Sequence, residues 1–118
     1  MNITKEQGKI WLEKLKNYWQ NKEAENASLL FKETTFYQET PFAKPYTTYD
    51  EIKEEWKHIE NQEIKKIEFS ILAIEKNTMI VHWNFENNTT ILDGIYEIKF
   101  NKDMECIYFK SWEMENKE

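Results

Sequence analysis

The period of the hydrophobic residues changes along the chain. Over the first third, apolar residues recur every three or four positions: Gly8, Trp11, Leu12, Leu15, Tyr18 and Trp19 form one stripe, with Lys9, Glu13, Lys14, Lys16 and Asn17 largely opposite. That spacing predicts an amphipathic helix. Thr4 and Gln7 ahead of it make a capping box, each side chain able to satisfy the other's free backbone N–H. A break at Gln20-Asn21-Lys22 precedes a shorter helix carrying Ala24, Ala27, Leu30 and Phe31, for which Asn21 is the expected cap. Residues 34–39 read as a short strand stopped by Pro41, which cannot donate to a ladder. A loop fixed by Pro41 and Pro45 follows. Thr48 and Glu51 form a second capping box, and Ile52, Trp56 and Ile59 mark a third helix with Glu51, Lys53, Glu54, Glu55 and Lys57 on its wet face.

From residue 65 the period falls to two. Ile67, Phe69, Ile71 and Ala73 alternate with Lys66, Glu68 and Ser70, the pattern of a strand with one buried face. Leu72 and Ile74 break the alternation, so part of the outer face is also apolar, as expected where a partner subunit covers it. Three further strands, at residues 79–85, 90–100 and 106–112, are rich in Ile, Val, Thr and aromatics and are separated by Asn87-Asn88 and Asn101-Lys102-Asp103. They predict an antiparallel meander. Helices followed by such a sheet define an α+β class in a single domain, residues 1–118.

Composition narrows the function. The 118 residues are 40% hydrophobic and 32% charged, a globular balance, and the 15% aromatic share fits a ring-rich core or a ring-walled pocket. A net charge of −6 disfavours nucleic acid and anionic membranes as partners. No apolar run reaches the ~20 residues of a membrane span. The start of the chain has no apolar signal core, and lone Cys106 excludes an internal disulfide, so the cytoplasm is the expected location. His58 and His82 are the two histidines, no Cys/His cluster exists and Gly8 and Gly94 are the two glycines, so neither a metal site nor a phosphate-binding loop is expected, and no cofactor.

The order of several short segments resembles a known family. Tyr18-Trp19 before a turn, Leu30-Phe31, Phe36-Tyr37, Pro41-Phe42, the helix from Ile52 to Trp56, Trp83, Leu92-Asp93-Gly94-Ile95-Tyr96 and Phe109-Lys110-Ser111-Trp112 resemble the nuclear transport factor 2-like superfamily, its SnoaL-like branch in particular. The resemblance covers nearly the whole chain. It implies a cone, a curved antiparallel sheet packed on three N-terminal helices in a cystatin-like roll, with a pocket at the open end. It also implies frequent dimerisation through the outer sheet face. Members include ketosteroid isomerases, polyketide cyclases and dehydratases, alongside binding proteins without catalysis. The chain departs from the family where Asn21-Lys22 replaces Gly-Asp, and where Ser111-Trp112-Glu113 replaces Glu followed by Trp-Trp.

His82 and Asp93 are the candidate proton carriers, since an imidazole titrates near neutrality and a carboxylate in an apolar pocket has a raised pKa. Adjacent strands can bring them together. The alternation argues against an inward position: Trp83 inside puts His82 outside, and Asp93 lies opposite Leu92, Gly94 and Tyr96. A bulge at Asp93-Gly94 would turn Asp93 inward. Trp19, Tyr37, Trp56, Trp83, Tyr96 and Trp112 are the candidate ligand contacts, offering ring faces to an apolar molecule and N–H or O–H groups to orient it. Three functions stay open: a homodimer binding a small, largely apolar molecule; a cofactor-independent isomerase, cyclase, dehydratase or hydrolase working by proton transfer; and an interaction module acting through the outer sheet face. Inward-facing ionisable groups would favour the enzyme.

Overall fold

The computed structural model describes residues 1–116. Helix α1 spans Lys5–Gln20, α2 Ala24–Leu29 and α3 Tyr49–Trp56, the last continuing into a 3-10 turn at Lys57–Asn61. Strand β1 is Phe36–Gln38, β2 Lys66–Glu75, β3 Thr78–Glu86, β4 Ile91–Phe100 and β5 Cys106–Asn116. Both capping boxes form: Thr4 Oγ1 accepts from the Gln7 N–H, and Thr48 Oγ1 from that of Glu51. The stripe of α1 is buried as its spacing predicts, at Gly8, Trp11, Leu12, Leu15 and Trp19.

Two local expectations need correction. Asn21 closes α1 rather than heading α2, its N–H bonding the Asn17 carbonyl and the Lys22 N–H that of Trp19. The next residue, Lys22, turns the chain with φ 58°, so α2 begins later, behind Glu23, whose side chain makes no capping bond. Ile59 lies on the 3-10 turn, not on α3, and is still buried.

The sheet order is β1-β5-β4-β3-β2, with β2 to β5 an antiparallel meander. The expected wholly antiparallel sheet is therefore mixed at one edge, where β1 runs parallel to β5 and pairs Tyr37 with Phe109. Thr34 Oγ1 donates to the Cys106 carbonyl (2.7 Å) and the Thr35 N–H to that of Ile107 (3.1 Å), which locks this edge. A three-residue strand carries too little pattern to reveal its partner's direction. Tyr37 is also bridged to Tyr46 across the proline loop, whose Phe42 is fully exposed.

Leu72 is an extra residue in β2, where the register with β3 shifts between Ile71 and Ala73. The bulge explains the broken alternation: Ile74 pairs with Met79 and packs against the core, while Ala73 turns outward and Leu72 is 58% exposed. Between β3 and β4 the register is unbroken from Thr78–Lys99 to Glu86–Ile91, so no bulge forms at Asp93-Gly94. Val81, Trp83, Phe85, Tyr96, Ile98, Phe100, Cys106 and Phe109 all point inward against the helices. Among the described residues no helix is long and apolar enough to cross a membrane.

Gly94 is a close approach within the sheet. It faces Trp83 across the ladder, and a Cβ there would lie 2.7 Å from Trp83 Nε1 and 2.4 Å from the Trp112 carbonyl oxygen. Backbone cannot yield as a side-chain tip can. Gly94→Ala is expected to cost about 1–3 kcal/mol and lower the melting temperature by roughly 4–12 °C. Gly8→Ala should be nearly neutral, because its closest neighbour is the flexible Met79 Sδ and alanine favours the helix. Thermal melts of both variants followed by circular dichroism test the pair, and equal shifts would refute this account of Gly94.

Candidate functional site

The helices pack on the inner face of the sheet. A cavity of about 210 Å³ lies there, about seven water volumes. Its walls come from every layer: Trp19 at the end of α1, Tyr37 from β1, Trp56 from α3, Trp83 from β3, Tyr96 from β4 and Phe109 from β5. These rings hold one another in place. Trp83 stacks on Tyr96 with centroids 5.0 Å apart, Tyr37 on Phe109 at 5.1 Å, and Trp19 meets Trp56 edge-on at 5.5 Å. Gln62 accepts the indole N–H of Trp19 (2.8 Å), and Ser111 that of Trp83 (3.2 Å).

Into this ring-walled space point three carboxylates. Glu39 follows Tyr37 by two residues and shares its side of the chain. Glu113 bears the same relation to Ser111 on β5, and Glu55 precedes Trp56 on α3. The Tyr37 hydroxyl donates to Glu39 Oε1 (3.0 Å) and that of Tyr46 to Glu55 Oε2 (3.2 Å). Burial raises the Glu39 pKa to about 7, reinforced by the charge of Glu55 and opposed by the bond from Tyr37. Glu113 is raised too, by burial and then by Glu115. Burial and the nearby carboxylates push the Tyr37 and Tyr96 phenols well above their ordinary value, so both stay protonated.

Five of the six aromatic candidates, Trp19, Tyr37, Trp56, Trp83 and Tyr96, line the cavity. Trp112 does not. Ser111 takes the inward place on β5, and strand alternation sends Trp112 to the outer face, 39% exposed under the Lys110 ammonium. His82 and Asp93 do meet, with Nε2 to Oδ1 at 2.6 Å, but on the outer face, their side chains 39% and 51% exposed. The unbroken β3–β4 register keeps Asp93 there. Glu39, Glu55 and Glu113 were not foreseen as pocket residues, although the period of two that places Tyr37 and Ser111 inside also places Glu39 and Glu113. Glu55, assigned to the wet face of α3, is only 26% exposed at its side chain because Tyr46 and His58 flank it. Cys106 is buried with its thiol pushed up to about 12, which leaves it unreactive. Among the described residues no group of three His, Cys, Asp or Glu side chains could hold a metal ion. A wider surface cleft, about 450 Å³, lies beside Glu23, Lys53 and Lys57 and is lined mainly by charged side chains.

Raised carboxylates make stability depend on pH. With Glu39 at about 7 in the folded chain against 4.5 ordinarily, the folded state keeps a proton that the unfolded chain has released between those values. Stability is thus greatest below pH 4.5 as far as this group is concerned, and falls as pH rises through 7, by about 3 kcal/mol for Glu39. Glu39→Gln should flatten this slope. Urea unfolding midpoints at about pH 5 and about pH 8 measure it, and an unchanged slope in the variant would show Glu39 to be an ordinary carboxylate.

No model of a known protein family and no curated protein matches the chain. Solved structures do. The epoxide hydrolase/cyclase-like enzyme SalBIII, of pyran ring formation in the polyether salinomycin, aligns at TM-score 0.78 with 9% identity, over 92% of this chain and 91% of that one. An NTF-2 like protein of unknown function from Burkholderia xenovorans LB400 aligns at 0.76 with 10% identity, over 96% and 87%. A steroid delta-isomerase from Pseudomonas aeruginosa aligns at 0.69 with 14% identity, over 97% and 84%. At such identities the likeness is one of architecture: the chain has the nuclear transport factor 2-like fold.

Proposed function

We propose that the cavity binds a small, largely apolar molecule and moves a proton on it, with Glu39 as the proton carrier. The observation that carries this reading is Glu39 itself: a carboxylate withdrawn into a ring-walled pocket, poised near neutral pH and held by the Tyr37 hydroxyl. A group whose pKa matches the working pH serves as base and then as acid. In the reading advanced here, ionised Glu39 takes a proton from a carbon next to a carbonyl. The electron pair passes to the oxygen, where a neutral phenol such as Tyr96 donates to the developing anion, and the proton returns at another atom. No redox change is involved. The similarity to SalBIII and to a steroid isomerase supports an enzyme of this kind. His82 and Asp93, paired on the outer face, have no part in it.

The ring-opening of 5-nitrobenzisoxazole tests the base directly. Its C–H proton passes to a carboxylate, the pair forms a nitrile, and the N–O bond breaks to give a coloured phenolate. Turnover should rise with an apparent pKa of about 7, and Glu39→Gln should lower it at least about a hundredfold. Quenching of pocket tryptophan fluorescence without turnover above that of free acetate would leave binding alone as the function.

We further infer a homodimer joined through the outer sheet face. Trp112, Met114, Leu72 and Ile91 expose apolar surface there, at 39%, 69%, 58% and 45%. Light scattering after size exclusion should give twice the 14.5 kDa chain mass, and Trp112→Glu should give monomers with the pocket's fluorescence response intact. A monomeric wild type at micromolar concentration rules the dimer out.

A further inference from the structure

The charge around the cavity is one-sided. Glu39, Glu55 and Glu113 approach from just past β1, from α3 and from β5, and among the described lining residues there is no lysine or arginine. The one base at the rim is His58, whose ring stands 3.8 Å from Glu55 and is 77% exposed. A second observation concerns the floor. Tyr96 is only 5% exposed and lines the cavity, yet its hydroxyl makes no hydrogen bond to the described residues. Nearby, the buried Trp56 Nε1 also has no partner among them. Polar atoms are not left this way in a finished core. They await a guest.

Resting on the reading of this cavity as the ligand site, we propose that its ligand is a small organic cation, an ammonium head carried on an apolar or aromatic body. The head would lie against Glu55, Glu113 and the Tyr96 oxygen, all of which accept N–H donors, leaving Glu39 to reach the body of the ligand. The body would lie on the faces of Trp19, Trp83 and Tyr37, where ring quadrupoles add to the attraction of a cation. An anion is repelled by the same carboxylates. A neutral molecule leaves their mutual repulsion uncompensated.

The same geometry couples binding to protons. The groups facing Glu39 are Tyr37 beside it, Glu55 of α3, Tyr96 of β4 and Glu113 of β5, with Tyr46 and His58 behind Glu55. The two buried phenols stay neutral throughout. A cation seated among the carboxylates favours ionised Glu39, so binding releases a proton and strengthens as pH rises through neutrality.

Three probes of similar size and different charge test this: benzylammonium, benzyl alcohol and benzoate, titrated against the full chain by tryptophan fluorescence. Benzylammonium should bind at least about tenfold more tightly than benzyl alcohol at about pH 8, and benzoate not measurably. Its affinity should rise roughly tenfold from about pH 5.5 to about pH 8. Glu39→Gln should remove most of that rise and Glu113→Gln should weaken binding several-fold, both with wild-type circular dichroism. His58→Gln should keep the rise, which assigns it to the carboxylates. Benzyl alcohol or benzoate binding as well as the cation, or no binding of any probe, overturns the proposal. The two readings fail separately: benzisoxazole turnover that benzylammonium does not inhibit removes the cation and keeps the base, whereas pH-dependent cation binding without turnover does the reverse.

Discussion

The structure depends on an uninterrupted alternation along β3 and β4. Nine residue pairs run from Thr78–Lys99 to Glu86–Ile91 without a slip, and that regularity decides which side chains meet the helices and which meet water. Gly94 makes it possible. With no Cβ opposite Trp83, the indole lies close over the strand, stacks on Tyr96 and reaches Ser111 with its N–H. A larger residue would displace the indole from that place, and with it one wall of the cavity. Irregularity is confined to the pairing of β2 with β3, where Leu72 is extra, and of β4 with β5, where Ile107 is.

Much of this was legible from residue order alone. The capping boxes at Thr4 and Thr48, the stripe of α1 and the inward set Val81, Trp83 and Phe85 follow from periods of 3.6 and two. Where reading fell short, the cause was physical in each case. The left-handed turn at Lys22 moved the start of α2 past Asn21, a conformation no local pattern announces for lysine. The parallel pairing of β1 is a tertiary choice. Leu72 and Ile74 looked like a doubly apolar strand because a bulge and a covered face leave the same signature. The acidic cluster is hidden in the sequence for another reason: the chemistry of His82 and Asp93 is evident by residue type, while Glu39 acquires its own from place.

That difference bears on how such pockets work. An exposed His–Asp pair on a sheet is solvated from one side and screened. A carboxylate brought among rings loses its water, and its neighbours Glu55 and Glu113 raise the cost of its charge further. The fold tolerates this because ring stacking and core burial around Phe31 and Phe109 are ample. Stability is given up at one point, where a carboxylate is held out of water.

Glu39 stands just past β1, the shortest strand of the sheet. β1 has three residues, a single strand neighbour and one isolated bridge to Tyr46. Segments with so few ladder bonds detach locally long before a protein unfolds as a whole. Were this edge to open, Glu39 would regain water and release its proton more readily, so alkali would favour the opening and acid oppose it.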